Sequence, residues 1–307
     1  MNAPRTPAKR SERGAALLAV LAMVVLLAGF ATVGLERLKA AGNRITEAEA
    51  RTEAQLLASA ATAASANMAA SLKARLRMQP GLLDTPVELA AGEGKVALRF
   101  AEGGNCFNLN ALAAPPATDP AMARPQPAAR PQDLARLLVA VGIPLLEADT
   151  LSKATAARLG QTGQLWADAS EWATIPGVTQ RHWQLAGPLL CALPTRERAA
   201  ININSLTADR APILASLGVG ADQARLAVSA RPAGGWASAN DFVGRSGLSA
   251  EAAGDIENEI GTSTRWMQVE LVATTARARV TRALLLDTIR LPAEVVYSRW
   301  VRVEMLS

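Results

Sequence analysis

The run from Ala15 to Leu35 carries no charged residue and is long enough to cross a bilayer as a helix. A secretory signal would have a shorter apolar core, a small-residue cleavage site and then a break. No break follows here. Glu36 to Gln79 continues in strong helix formers until Pro80 stops them. Leu35, Leu38, Ile45, Ala48, Leu56, Ala60 and Ala63 roughly follow one helical stripe, with Gly42 as the expected weak point. Unbroken at Gly42, the pattern makes one helix of about 95 Å, its first third bilayer-soluble and the rest amphipathic.

The formal charge of +5 suggests an anionic partner until it is located. Arg5, Lys9, Arg10 and Arg13 stand against Glu12 ahead of the apolar run, a basic flank of the kind that stays cytoplasmic. There are two cysteines, Cys106 and Cys191. Reduced and buried, they need no explanation; if the chain beyond the apolar run lies outside the cytoplasm, a disulfide is favoured. Closing so long a loop stabilises by roughly 4 kcal/mol in the chain-entropy model.

Past Pro80 the apolar period becomes two. "VELAAGEGKVALRF" reads as a hairpin, residues 87–90 and 96–100 turning through Gly92-Glu93-Gly94. Residues 113–131 are Pro/Ala-rich and read as a linker or long loop. From Pro131 to about Gly261 the text is helical in short pieces: "PQDLARLLVAVGI", two helices around Pro176-Gly177, then three or four more. Strands return in "RWMQVELVATT", "ARARVTRALLLDT" and "EVVYSRWVRVEML". Val269, Leu271 and Ala273 are expected on one face of the first, and Trp300, Arg302 and Glu304 on one face of the last. Late strands need partners, and the early hairpin supplies them. The order therefore predicts an α+β domain interrupted by a helical insertion.

For chemistry the chain offers little. "LASLGVGADQARLAVSAR", with Gly218-Val219-Gly220, resembles a helix-hairpin-helix element aiming N–H groups at a phosphate, and "WATIPGVTQRHWQLAGPL" reads as a degenerate second copy. A tight packing turn explains the same glycines. Charge favours the turn: Asp209, Asp222, Asp241, Glu251, Asp255, Glu257 and Glu259 outnumber Arg210, Arg225, Arg231 and Arg245. Asp255 and Glu259, at i and i+4, read as a solvated face rather than a calcium loop. His182 is the only histidine and reads as a surface or packing residue. With no GxSxG, phosphate loop or HExxH, no enzyme activity is expected.

Three stretches together resemble the minor pseudopilin K family of type II secretion. They are "ERGAALLAVLAMVVLLA", "CFNLNAL" and residues 172–218, "WATIPGVTQRHWQLAGPLLCALP" through "ININSLTADRAPILASLG". The resemblance implies prepilin-peptidase cleavage between Gly14 and Ala15 and N-methylation of Ala15. It implies a type IV pilin-like fold, a long N-terminal helix packed on an antiparallel sheet, with a large all-α, SAM-like or helix-hairpin-helix-like insertion between strands. The expected parts are a leader (1–14), a transmembrane stem (15–35), its periplasmic continuation (36–80), a first sheet part (81–112), the insertion (113–262) and the last strands (263–307). A Cys106–Cys191 bridge would tie the first strand group to the helical block.

The resemblance also implies a subunit anchored once in the bacterial inner membrane, with its bulk in the periplasm. It would sit with minor pseudopilins I, J and H at the tip of a fibre that exports folded exoproteins. Calcium is implied too, without assigned ligands. In most pilins the fifth mature residue is Glu; here it is Ala19, an absence the K family shares. The runner-up expectation is a membrane-tethered periplasmic DNA-binding protein resembling a DNA-uptake receptor.

Overall fold

The computed structural model describes residues 10–76, 83, 85–92, 94–114, 128–245, 247 and 256–305, with side chains given from residue 14 onward. Most of the leader, Pro80, Glu93, most of the 113–131 linker and residues 251–255 of the acidic run lie outside them. Helix α1 (Arg10–Leu76) is continuous for 67 residues. The expected weak point at Gly42 does not interrupt it: a single glycine costs about 1 kcal/mol, which a helix of this length absorbs.

Five strands form one antiparallel sheet in the order β1-β2-β7-β8-β9. They are β1 (Val87–Ala91), β2 (Gly94–Glu102), β7 (Trp266–Thr274), β8 (Ala278–Asp287) and β9 (Glu294–Met305). The early hairpin does receive the late strands, β2 pairing β7 with Val96 opposite Ala273. Alternation puts Val96, Leu98, Phe100, Val269, Leu271 and Ala273 on the face that meets α1. The helix answers with Ala50, Ala54, Ala58, Ala61 and Ala69, whose small side chains let its axis lie close to the sheet.

One strand-face expectation fails. Trp300 pairs with Arg282 and Arg302 with Thr281, neighbours that point to opposite faces of β8. Val301 is the extra residue of a bulge, so Trp300 is split from Arg302 and Glu304.

The chain leaves the sheet at Glu102 and returns at Trp266. Phe107, Leu109 and Leu112 already belong to the core of the insertion, so it begins ahead of the 112/113 boundary. The expected helices include α2 (Pro131–Ala140), α4 (Gln180–Ala186), α5 (Ala221–Ser229) and α6 (Ala239–Arg245). Helix α3 (Leu145–Thr162) had no separate expectation. The insertion is also not purely helical: β3 (Phe107–Asn108) pairs in parallel with β4 (Leu190–Cys191), and β5 (Ile201–Asn202) with β6 (Ile260–Gly261).

These two ladders close two copies of one unit. Each copy starts with a strand, passes through a helical pair turned by a left-handed glycine (Gly142 and Gly218, both φ 93°), reaches a tryptophan and ends on a strand. "WADASEW" from Trp166 and "WASANDF" from Trp236 mark equivalent positions. The pairing differs from the sequence expectation. The counterpart of the Gly218 hairpin is the turn at Gly142, not the segment around Pro176-Gly177. The copies pack through α2 and the 3₁₀ segment Ala211–Leu217, where Arg136 donates to the Ser216 carbonyl.

The insertion stands at the end of the sheet farthest from the apolar run. Gly94, at the opposite end of β2, lies against Leu57 of α1, whereas Lys73 donates to the Thr288 carbonyl just past β8.

Candidate functional site

Gly14, Ala15 and Ala19 lie exposed near the start of α1. Leu17, Leu21, Val24, Leu27 and Phe30 are between 56% and 74% exposed, with nothing from the head covering them. Among the described residues, α1 is the one helix long and apolar enough to cross a membrane, by length and composition, and its apolar window is wholly unburied. A long apolar surface of this kind requires lipid or other helices around it. From Ala50 the same helix turns an alanine face into the head, so one rigid element joins the apolar stem to the fold.

Cys106 and Cys191 are joined by a disulfide with Cα atoms 5.7 Å apart. Cys106 directly precedes β3 and Cys191 is the last residue of β4, so the bond clamps both ends of the first copy.

The polar framework of the insertion was not anticipated. Asn110 donates from Nδ2 to the carbonyls of Trp166 and Leu193 and accepts the Trp166 N–H. Asn204 does the same to the Trp236 carbonyl and N–H. One residue pair earlier, Asn108 accepts from Asn110 N and Asn202 accepts from Asn204 N. Each amide thus imitates a strand neighbour where the chain has none. The available signal was the repeated Asn-x-Asn spacing, followed in each copy by a tryptophan.

Asp133, fully buried, caps α2 by accepting the Arg130 N–H and is surrounded by Arg130, Arg136 and Arg198. Burial pushes the nearby Glu259 carboxyl up, with Arg198 opposing the shift. Between the outer sheet face and Trp166–Ala169 lies a cleft of about 580 Å³, also lined by Arg99, Glu270, Leu285, Tyr297 and Arg299. Hydrogen bonds from Ser170 hold the Asp168 carboxyl at this cleft below its usual range, and Arg299 adds to the effect.

His182 is buried rather than on the surface. Its Nδ1 accepts the Thr179 N–H and its Nε2 lies 3.1 Å from Glu147, which makes it a capping and packing residue. At the hairpin Val219 is buried, and the first turn of α5 carries Asp222, a carboxylate where a phosphate would have to sit. Among the described residues no group of three or more His, Cys, Asp or Glu could hold a metal ion. The implied calcium therefore finds no such acidic cluster there.

The family model described as "Type II secretion system (T2SS), protein K" matches residues 201–263, which is the second copy of the insertion. Type II secretion system protein K of Pectobacterium carotovorum subsp. carotovorum is 24% identical over 291 residues, covering 85% of this chain and 88% of that protein. The Klebsiella pneumoniae protein of the same name is 28% identical over 276 residues, covering 77% and 80%. The Dickeya chrysanthemi one is 34% identical over 88 residues, only 28% of this chain and 25% of that protein. A chain of the solved GspK-GspI-GspJ complex from enterotoxigenic Escherichia coli shares the fold, with a TM-score of 0.62 and 21% identity. That match covers 82% of this chain and 99% of the other. With an apolar stem, a sheet and a duplicated helical insertion in that order, the chain is a relative of type II secretion system protein K.

Proposed function

We propose that the chain is a minor pseudopilin, a structural and non-enzymatic subunit that starts or caps a type II secretion pseudopilus at its tip. The observation that carries this reading is the uncovered apolar stem with Ala19 in the fifth place after Gly14. A carboxylate at that depth is costly in hydrocarbon unless paired, so a subunit that has one gains by slotting beneath a neighbour's free amine. A subunit with alanine there gains nothing from entering below another, yet its own amine can receive the next arrival. The insertion, crowning the membrane-distal end, would obstruct addition above it.

In this reading prepilin peptidase cuts Gly14–Ala15, Ala15 is methylated, and the stem stays in the inner membrane with the head in the periplasm. The likeness to a GspK-GspI-GspJ complex supports I and J pseudopilins as partners; H and the exported proteins are further expected contacts. No step is assigned to calcium.

Mass spectrometry of the mature N-terminus is the test. An N-methylated Ala15 is expected, and an intact Met1 would overturn the reading. The full chain should co-purify with its I and J counterparts and leave duplex DNA unshifted at low salt. A salt-sensitive shift lost on Gly218→Ala would favour the DNA-binding alternative instead.

A further inference from the structure

Two short segments carry the insertion, one leaving β2 after Glu102 and one entering β7 at Trp266. Gly103 N donates to the Trp266 carbonyl, and the insertion also meets the sheet through Glu197–Arg265, Asp168–Arg299 and the packing of Leu193 and Ala199 on Trp266 and Leu285. What keeps such crossings from hinging is a tie that reaches both of them and the second copy at once. The Glu102 side chain makes that tie. Its Oε1 accepts the Gly104 N–H at 2.9 Å. Its Oε2 accepts from Asn202 Nδ2 at 3.0 Å, Ser205 Oγ at 2.9 Å and Thr264 Oγ1 at 2.6 Å. The donors come from the outgoing segment, the second copy of the insertion and the returning segment.

The donors are also linked among themselves. Asn202 Nδ2 reaches Thr264 Oγ1 at 2.9 Å, and Asn105 Nδ2 reaches Ser205 Oγ at 3.1 Å. With both hydroxyls accepting from an amide, each has its proton free for Glu102. The net therefore runs in one direction, ending on the one ionised acceptor within it.

We propose that Glu102 is a positioning residue that sets the insertion at a fixed angle to the stem, making head and stem a single strut. The assignment rests on the hydrogen-bond geometry; only its consequence for export rests on the pseudopilin reading. A charged acceptor suits the task because Gly104 N and Asn202 Nδ2 can only donate. A glutamine can serve the donors at Oε2 through its carbonyl oxygen, but then turns an amide NH₂ toward the Gly104 N–H.

The test is a distance distribution between spin labels, carried on non-canonical residues so that the disulfide is untouched, in the full chain in detergent. Exposed positions Glu53 on α1 and Thr162 on α3 suit the labels. The parent should give one narrow peak. Glu102→Ala should lose it to a broad distribution while helix content and the disulfide persist, and Glu102→Gln should recover part of the narrow peak. A narrow, unshifted peak in Glu102→Ala would overturn the proposal. Should Glu102→Ala not accumulate, Thr264→Val combined with Ser205→Ala makes the same test by removing two donors, and an unchanged peak there is equally fatal. Failure of Gly14–Ala15 processing in the parent would count against the pseudopilin reading and leave the distance result standing.

Discussion

The two copies within the insertion hold their tryptophans by the same amide device, yet close their ends differently. In the first, β3 and β4 are paired with Asn108 opposite Cys191. In the second, β5 and β6 pair with Asn202 opposite Gly261. Cys106 and Ala200 stand one residue before their strands, so Ala200 and Gly261 occupy the places of Cys106 and Cys191. The first copy is closed by a covalent bond and the second by hydrogen bonds alone. The second is instead fastened to its host, since Asn202 reaches Glu102 and Thr264 at the sheet junction. A common fold was thus secured in two ways, by a staple at the ends of the first copy and by polar ties to the sheet junction at the end of the second.

The largest effect should come from cutting the staple. Cys106→Ser with Cys191→Ser is expected to cost about 4 kcal/mol in chemical denaturation under oxidising conditions, from loop entropy over the 85-residue separation. The loss should fall on the first copy, so that proteolysis cuts between residues 107 and 190 before it cuts the second copy. Simultaneous cleavage of both would show that they unfold as one unit.

Next come the amides. Asn110→Ala strands the Trp166 N–H and carbonyl and one of the Leu193 carbonyl's partners, and should cost about 3 kcal/mol. Asn204→Ala removes one bond fewer and should cost about 2 kcal/mol. Equal denaturation midpoints would deny the first copy its extra tie. The comparison can also be sharpened by construction. Ala200→Cys with Gly261→Cys should oxidise to a second disulfide and add about 2 kcal/mol, below the entropic ideal as engineered bridges usually are. Free thiols in the folded double variant would show that the two closures are not geometrically equivalent.

What the sequence disclosed follows from what each signal measures. The charge-free run of the stem and the alternation of β7 are signals of burial and solvent, and both appear where expected. Helix α3 was missed because its buried face is Ala148, Leu151, Ser152, Thr155 and Leu159, too small and polar to mark a hydrophobic period. Trp300 was misplaced because a bulge resets the two-residue alternation without any local composition cue. The asparagines and Glu102 escaped hydrophobic patterning altogether; their roles depend on partners 56 and 100 residues away. His182 was assigned no chemistry, and its capping bond to Thr179 agrees with the packing alternative rather than the surface one. The cysteines stood apart, because two in a chain leave a single internal pairing.

The smallest effect tests the equivalence of the copies most directly. Gly142 and Gly218 both have φ 93°, and a Cβ on either would meet nothing within 4 Å. Alanine would therefore add backbone strain without a clash, about 1 kcal/mol at each site. If the hairpins are true counterparts, Gly142→Ala and Gly218→Ala should shift the denaturation midpoint alike and leave N-terminal processing unchanged. A markedly larger loss at Gly218 would mean that its hairpin carries a contact beyond packing, which is the one outcome that would reopen a binding role for it.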